Sequence, residues 1–161
     1  MANAHNLLLR GLNAIYNQAP YIKPADVTSF LHFCDTWYMG ISIHHDGEEN
    51  DFFPAIEQMC GEKGIMEANV EQHAQFHDGL EGFGRYIKSC LEGNEDFDGQ
   101  RLVTMIDGFG TVLGAHLSDE ISTLMGLKRF GDEKMKGLMK ALAADAEKNM
   151  VRRCLFQVRL L

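Results

Sequence analysis

Apolar residues along this chain recur at spacings of three and four, the repeat that lines one face of a helix with buried side chains. Val27, Phe30, Cys34, Trp37 and Ile41 keep a strict alternation of the two spacings. Met66 and Val70, then Leu80, Gly84, Ile87 and Leu91, follow the same grid, as do Leu102, Ile106, Phe109 and Leu113, with Leu127 beyond. Leu8, Leu12 and Ile15 mark a fourth face near the N-terminus. Seams of this kind belong to helices packed in a left-handed bundle.

Punctuation sets the helix limits. Pro20 and Pro24 bracket a turn after a first helix over about residues 3–18, and a second runs over about 24–59, where Pro54 predicts a kink or break. The loops "CGEKG" (60–64) and "EGNEDFDG" (92–99) flank a third helix over about 66–91. A fourth follows over about 100–127, with Gly131 closing its exit. A shorter fifth, over about 132–149, opens on the aspartate of "GDEK". The expected fold is all-α: an up-and-down four-helix bundle over residues 1–130, with an additional C-terminal helix and tail, 131–161, packing on it.

Extending each seam through its gap exposes the chemistry. After Ile41 the next positions are His44 and Glu48; between Val70 and Leu80 they are His73 and His77; after Leu113 they are His116 and Glu120. The first helix adds His5 on the face of Leu8, Leu12 and Ile15. Burying so many imidazoles and carboxylates without a partner is prohibitively costly, and a shared cation, or a pair, removes the objection. Five histidines and two carboxylates exceed the needs of one tetrahedral zinc and suit two bridged ions. Mixed imidazole and carboxylate ligation is typical of non-haem iron, with manganese or zinc as substitutes.

Composition narrows the classes. A net charge of -8 argues against a nucleic-acid partner. No apolar run reaches the length of a membrane span, and the N-terminus lacks the basic start of a signal peptide, so a cytoplasmic protein is expected. Cys34, Cys60, Cys90 and Cys154 stand far apart and read as reduced thiols. The basic, apolar tail "MVRRCLFQVRLL" (150–161) is expected to pack on the bundle or a second subunit rather than on a membrane surface.

His5, "HHDGEE" (44–49), "HAQFH" (73–77) and "HLSDE" (116–120), in that order over about the first 130 residues, resemble the hemerythrin family in its broad, HHE cation-binding form. The resemblance implies that His73, His77 and His116 hold one iron and His5 and His44 the other. Glu48 and Glu120 would bridge the two ions (Fe2+/Fe3+) together with an oxo or hydroxo group, leaving an open position for dioxygen or another small ligand. Oxygen carriers of the family close with an aspartate five residues after the last histidine, whereas Glu120 follows His116 by four. The expected role is therefore binding dioxygen or sensing oxygen or iron. The alternative is a diiron oxidase, oxygenase or peroxidase acting on a small substrate.

Three further residues stand near the motifs. His45 and Glu49 lie one position off the seam, either behind the ligands, hydrogen-bonded to one of them, or in solvent. Tyr38 is packing by default; with His45 and Glu49 it completes the candidates for a proton donor in the enzyme reading. His32 falls off the seam and reads as a surface or outlying residue. The Glu-x-x-His pairs of ferritin-type diiron proteins and the HExxH motif of zincins are both missing.

Overall fold

The computed structural model describes residues 1–131, 133–137 and 140. Its α-helices are α1 (Ala2–Gln18), α2 (Val27–Gly47), α3 (Phe53–Cys60), α4 (Glu67–Leu91) and α5 (Gly99–Gly126), with no strand among the described residues. Residues 133–137 are helical, and Met135 is buried on the bundle. Residue 140 is helical as well; the remainder of the expected 132–149 helix and the 150–161 tail lie outside the described residues.

Side-chain contacts fix the topology. Trp37 donates its indole N–H to the Leu8 carbonyl (2.8 Å), and the His5 and His44 rings sit 5.0 Å apart, so α1 and α2 run antiparallel. Tyr38 pairs with Glu81 and His45 with His73, which reverses α4 against α2. His73 meets His116 while Phe83 meets Phe109, which reverses α5 against α4. Finally, His5 bonds the Leu117 carbonyl at one end of α1, and Gly99 packs against the Ala19 backbone at the other. Any side chain at Gly99 would run into the Ala19 carbonyl. This is the expected up-and-down four-helix bundle.

Local chemistry sets the ends. Asp98 caps α5 by accepting from the backbone of Gln100 (2.9 Å) and Arg101 (3.0 Å). Gly61, at φ 72°, closes α3 in the left-handed conformation that glycine adopts freely. The expected disruption at Pro54 takes a specific form. A π-helical turn, Glu48–Phe52, precedes α3, so one extra residue enters the helix ahead of the proline that cannot donate a backbone hydrogen bond.

Two apolar clusters divide the bundle. The larger joins Ile15, Cys34, Trp37, Ile41, Phe83, Ile87, Leu102, Phe109 and Leu113, and each large side chain buried there contributes about 1.5–3 kcal/mol. The smaller gathers Phe52, Phe53, Ile56, Met66, Leu127 and Met135 at one end. The described cysteines, Cys34, Cys60 and Cys90, are free thiols. No described helix is long and apolar enough to cross a membrane.

Candidate metal centre

Seven polar side chains are buried among the described residues, and six of them converge in one place: His5, His45, Glu48, His73, His116 and Glu120. His44, with 15% of its side chain exposed, joins them. Their ligand atoms form two groups, each spanning no more than 4.8 Å: His45, Glu48, His73 and His116 in one, and His5, His44, Glu48 and Glu120 in the other. Glu48 belongs to both. Its Oε1 lies 3.1 Å from His44 Nε2 and 4.0 Å from His5 Nε2, and its Oε2 lies 3.6 Å from His73 Nε2. Glu120 Oε2 approaches His5 Nε2 at 3.0 Å.

Outer hydrogen bonds aim the imidazoles. His5 Nδ1 donates to the Leu117 carbonyl (2.7 Å) and His73 Nδ1 to the Glu49 carboxylate (2.7 Å), leaving both Nε2 atoms facing inward. His116 Nδ1 faces Gln72 Oε1 at 3.1 Å, and Gln72 Nε2 donates to Asp119 (3.2 Å). Phe76 packs 5.0–5.7 Å from the rings of His45, His73 and His116, and Phe53 lies 5.8 Å from His73. These aromatic rings cover part of the histidine cluster.

The electrostatics follow from burial and from the paired carboxylates. Burial lowers His44 to about 3, helped by the charge of His5, and lowers His116 to about 4, helped by His73. It also pulls down His45, and His73 against the opposing pull of Glu49. These rings are therefore neutral, the form a metal ion requires. Burial pulls on His5 as well, but the facing carboxylates of Glu120 and Glu48 outweigh it and push His5 up to about 9. Burial pushes Glu48 up to about 8, against the pull of His5.

The donor set fits a cation on its own terms. Nε2 of His45, Oε2 of Glu48 and Oε1 of Glu120 are buried without a hydrogen-bond partner, while Nε2 of His5 and of His44 face only the carboxylate oxygens of Glu120 (3.0 Å) and Glu48 (3.1 Å). Each unpaired buried polar group costs about 1–3 kcal/mol, so this many in one cavity would be severely destabilising. Positively charged ions between the two carboxylates and the inward lone pairs satisfy them together.

The structure brings His5, His44, Glu48, His73, His116 and Glu120 together; it departs from expectation at two histidines and at Glu120, which joins only the group of His5, His44 and Glu48 rather than both. His77 is 68% exposed and pairs with its neighbour Asp78, away from the centre. The buried stripe of α4 runs Asn69, His73, Phe76, Leu80, Phe83 and Ile87, whereas Val70 is 40% exposed. That register turns position 77 to solvent, and the buried aromatics Phe76 and Phe83 are its signal in the sequence. His45, expected behind the ligands or in solvent, instead lies within the first donor group.

Of the other expected neighbours, Glu49 does bond a ligand, His73. Tyr38 donates to Glu81 (2.5 Å) two turns further along the bundle. Gln72, Asp119 and the buried Asn69, whose Oδ1 has no hydrogen-bond partner, lie off the expected seams and carried no signal in the sequence.

A four-helix bundle with a buried, carboxylate-linked cluster of inward histidines defines a cation-binding helical-bundle protein. The profile described as "Hemerythrin HHE cation binding domain" matches residues 1–127. The chain belongs to this family. It is 37% identical over 137 residues to the dimeric xanthone biosynthesis cluster protein R11 of Cryptosporiopsis sp. (strain 8999), covering 84% of this chain. The chain spans about half (52%) of the length of that curated relative. No solved structure matches the chain.

Proposed function

We propose that the chain is a non-haem protein that holds two iron ions in this centre and binds dioxygen, or senses oxygen or iron, there. The observation that carries the reading is the division of Glu48, one carboxylate whose two oxygens serve two different donor groups. His45, His73 and His116 with Glu48 would hold one ion, and His5, His44 and Glu120 with Glu48 the other. The mixed imidazole and carboxylate donors suit iron, with manganese or zinc as substitutes. Bound there, iron would supply one-electron redox chemistry and a position for a small ligand.

The protein's own part is orientation and exclusion. Glu49, Gln72 and the Leu117 carbonyl hold three imidazoles with Nε2 inward. Phe53 and Phe76 keep water from the rings they cover. A second reading, a diiron oxidase, oxygenase or peroxidase acting on a small molecule, draws support from the name of the relative, which places that protein in a xanthone biosynthesis cluster.

Metal analysis of protein produced with ample iron tests the site, with two irons per chain expected. Substantially fewer overturns the dinuclear reading. Reduced, deoxygenated protein that recovers its optical spectrum reversibly after exposure to oxygen supports binding or sensing. Turnover of peroxide or an organic substrate selects the enzyme instead.

A further inference from the structure

Around His73 and His116, hydrogen bonds decide which ring nitrogen carries the proton. A carboxylate only accepts, so Asp119 Oδ2 takes an amide N–H of Gln72, 3.2 Å away. That turns Gln72 Oε1 toward His116 Nδ1 at 3.1 Å, and an amide oxygen also only accepts. His116 therefore carries its proton on Nδ1 and leaves Nε2 bare. Glu49 imposes the same state on His73 directly. The two bare Nε2 atoms face each other at 2.9 Å, where two lone pairs repel unless a cation lies against them. Were the His116 proton on Nε2, the same 2.9 Å would make a good N–H···N hydrogen bond, and both donors would be consumed.

We propose that the Asp119–Gln72 pair is a positioning device that fixes the tautomer of His116 and so keeps the group of His45, Glu48, His73 and His116 open to a cation. The proposal rests on the reading of that group as a metal site. Asp119 is exposed and Gln72 half-buried, and their bond spans α5 and α4. A buried donor is thus set from the protein surface. The effect acts entirely through the amide of Gln72, whose polarity Asp119 dictates.

Reversing that polarity is the test. In Asp119→Lys an ammonium can only donate, so Gln72 turns its oxygen outward and its N–H toward His116 Nδ1, forcing the proton to Nε2. Ring-nitrogen NMR of isotope-labelled, metal-free protein at neutral pH is expected to show His116 as Nδ1–H in the wild type and Nε2–H in the variant. Anaerobic titration with ferrous iron alone should show binding at one of two positions weakened roughly 10- to 100-fold, the range for residues that orient a metal ligand.

The double variant Gln72→Glu, Asp119→Asn restores an acceptor facing His116 and a donor behind it, and is expected to recover both tautomer and affinity. Asp78→Lys makes the same charge change at an exposed site and should alter neither. An Nδ1–H His116 in Asp119→Lys overturns the proposal. So does weaker iron binding with an unchanged tautomer, which would be charge repulsion alone. Wild-type protein with the expected tautomer but no affinity for iron would instead overturn the metal reading, because the NMR measurement needs no metal.

Discussion

Replacing His45 by leucine should make the metal-free protein more stable while removing much of the stability that metal adds. His45 is buried, and its Nε2 has no partner, so exchanging the ring for an apolar side chain of similar bulk relieves a cost of about 1 kcal/mol or more. With iron present the balance reverses. A cation at about 1,000 times its Kd stabilises the fold by about 4.1 kcal/mol. Losing one of the four donors in its group should weaken binding at least about 100-fold, the upper end of the effect of residues that merely orient a ligand. About 1.4 kcal/mol of stabilisation then remains at the same iron concentration. The deficit of about 2.7 kcal/mol corresponds to an iron-induced rise in melting temperature that is smaller by about 5–11 °C.

Anaerobic thermal melts with and without ferrous iron measure both limbs, and His77→Ala is the control. His77 is exposed and pairs with Asp78, away from the centre, so its removal should leave the iron-induced rise intact. If His77→Ala loses the rise and His45→Leu keeps it, the register assigned to α4 is wrong.

Glu48→Gln should cost both ions and Glu120→Gln chiefly one, because only Glu48 belongs to both donor groups; metal content after gel filtration distinguishes the two, and equal losses would refute the sharing. In metal-free protein, His5, raised from 6.5 to about 9, and Glu48, raised from 4.5 to about 8, hold protons more tightly than in the unfolded chain. Their stabilisation is present below the unfolded values and is lost as pH rises, so the melting temperature should fall between about pH 6.5 and 9. His44 and His116, held at about 3 and 4, act in the opposite sense and withdraw stability as pH falls below 6.5. Iron-loaded protein should lose the alkaline decline, since the cation displaces those protons; a metal-free melting temperature that climbs above pH 6.5 would contradict the assignment. Gly84→Ala drives a methyl group into the ring of Tyr38 and should cost about 1–3 kcal/mol in denaturant melts; an unchanged midpoint would show that the ring has room to move.

The seams of α2 and α5, extended at the same spacing past Ile41 and Leu113, were readable from apolar spacing alone, and they placed Glu48, His116 and Glu120. The antiparallel bundle also followed, because amphipathic helices joined by short loops have few other ways to bury their stripes. In α4 the gap from Val70 to Leu80 admits two paths through His73, one by His77 and one by Phe76, with the same three-and-four spacing. Only packing against α2 and α5, which buries Phe76 and Phe83, decided between them.

The adjacent pair His44 and His45 shows the same division. A seam is a line and selects one residue of each neighbouring pair, but this centre has width. Side chains about 100° apart on α2 both point inward because each faces a different donor group, on either side of Glu48. The sequence by itself determined which residue types would be buried together and on which helices. Which histidine reaches which side depended on the rotation of each helix about its axis, which only contact with the other three can fix.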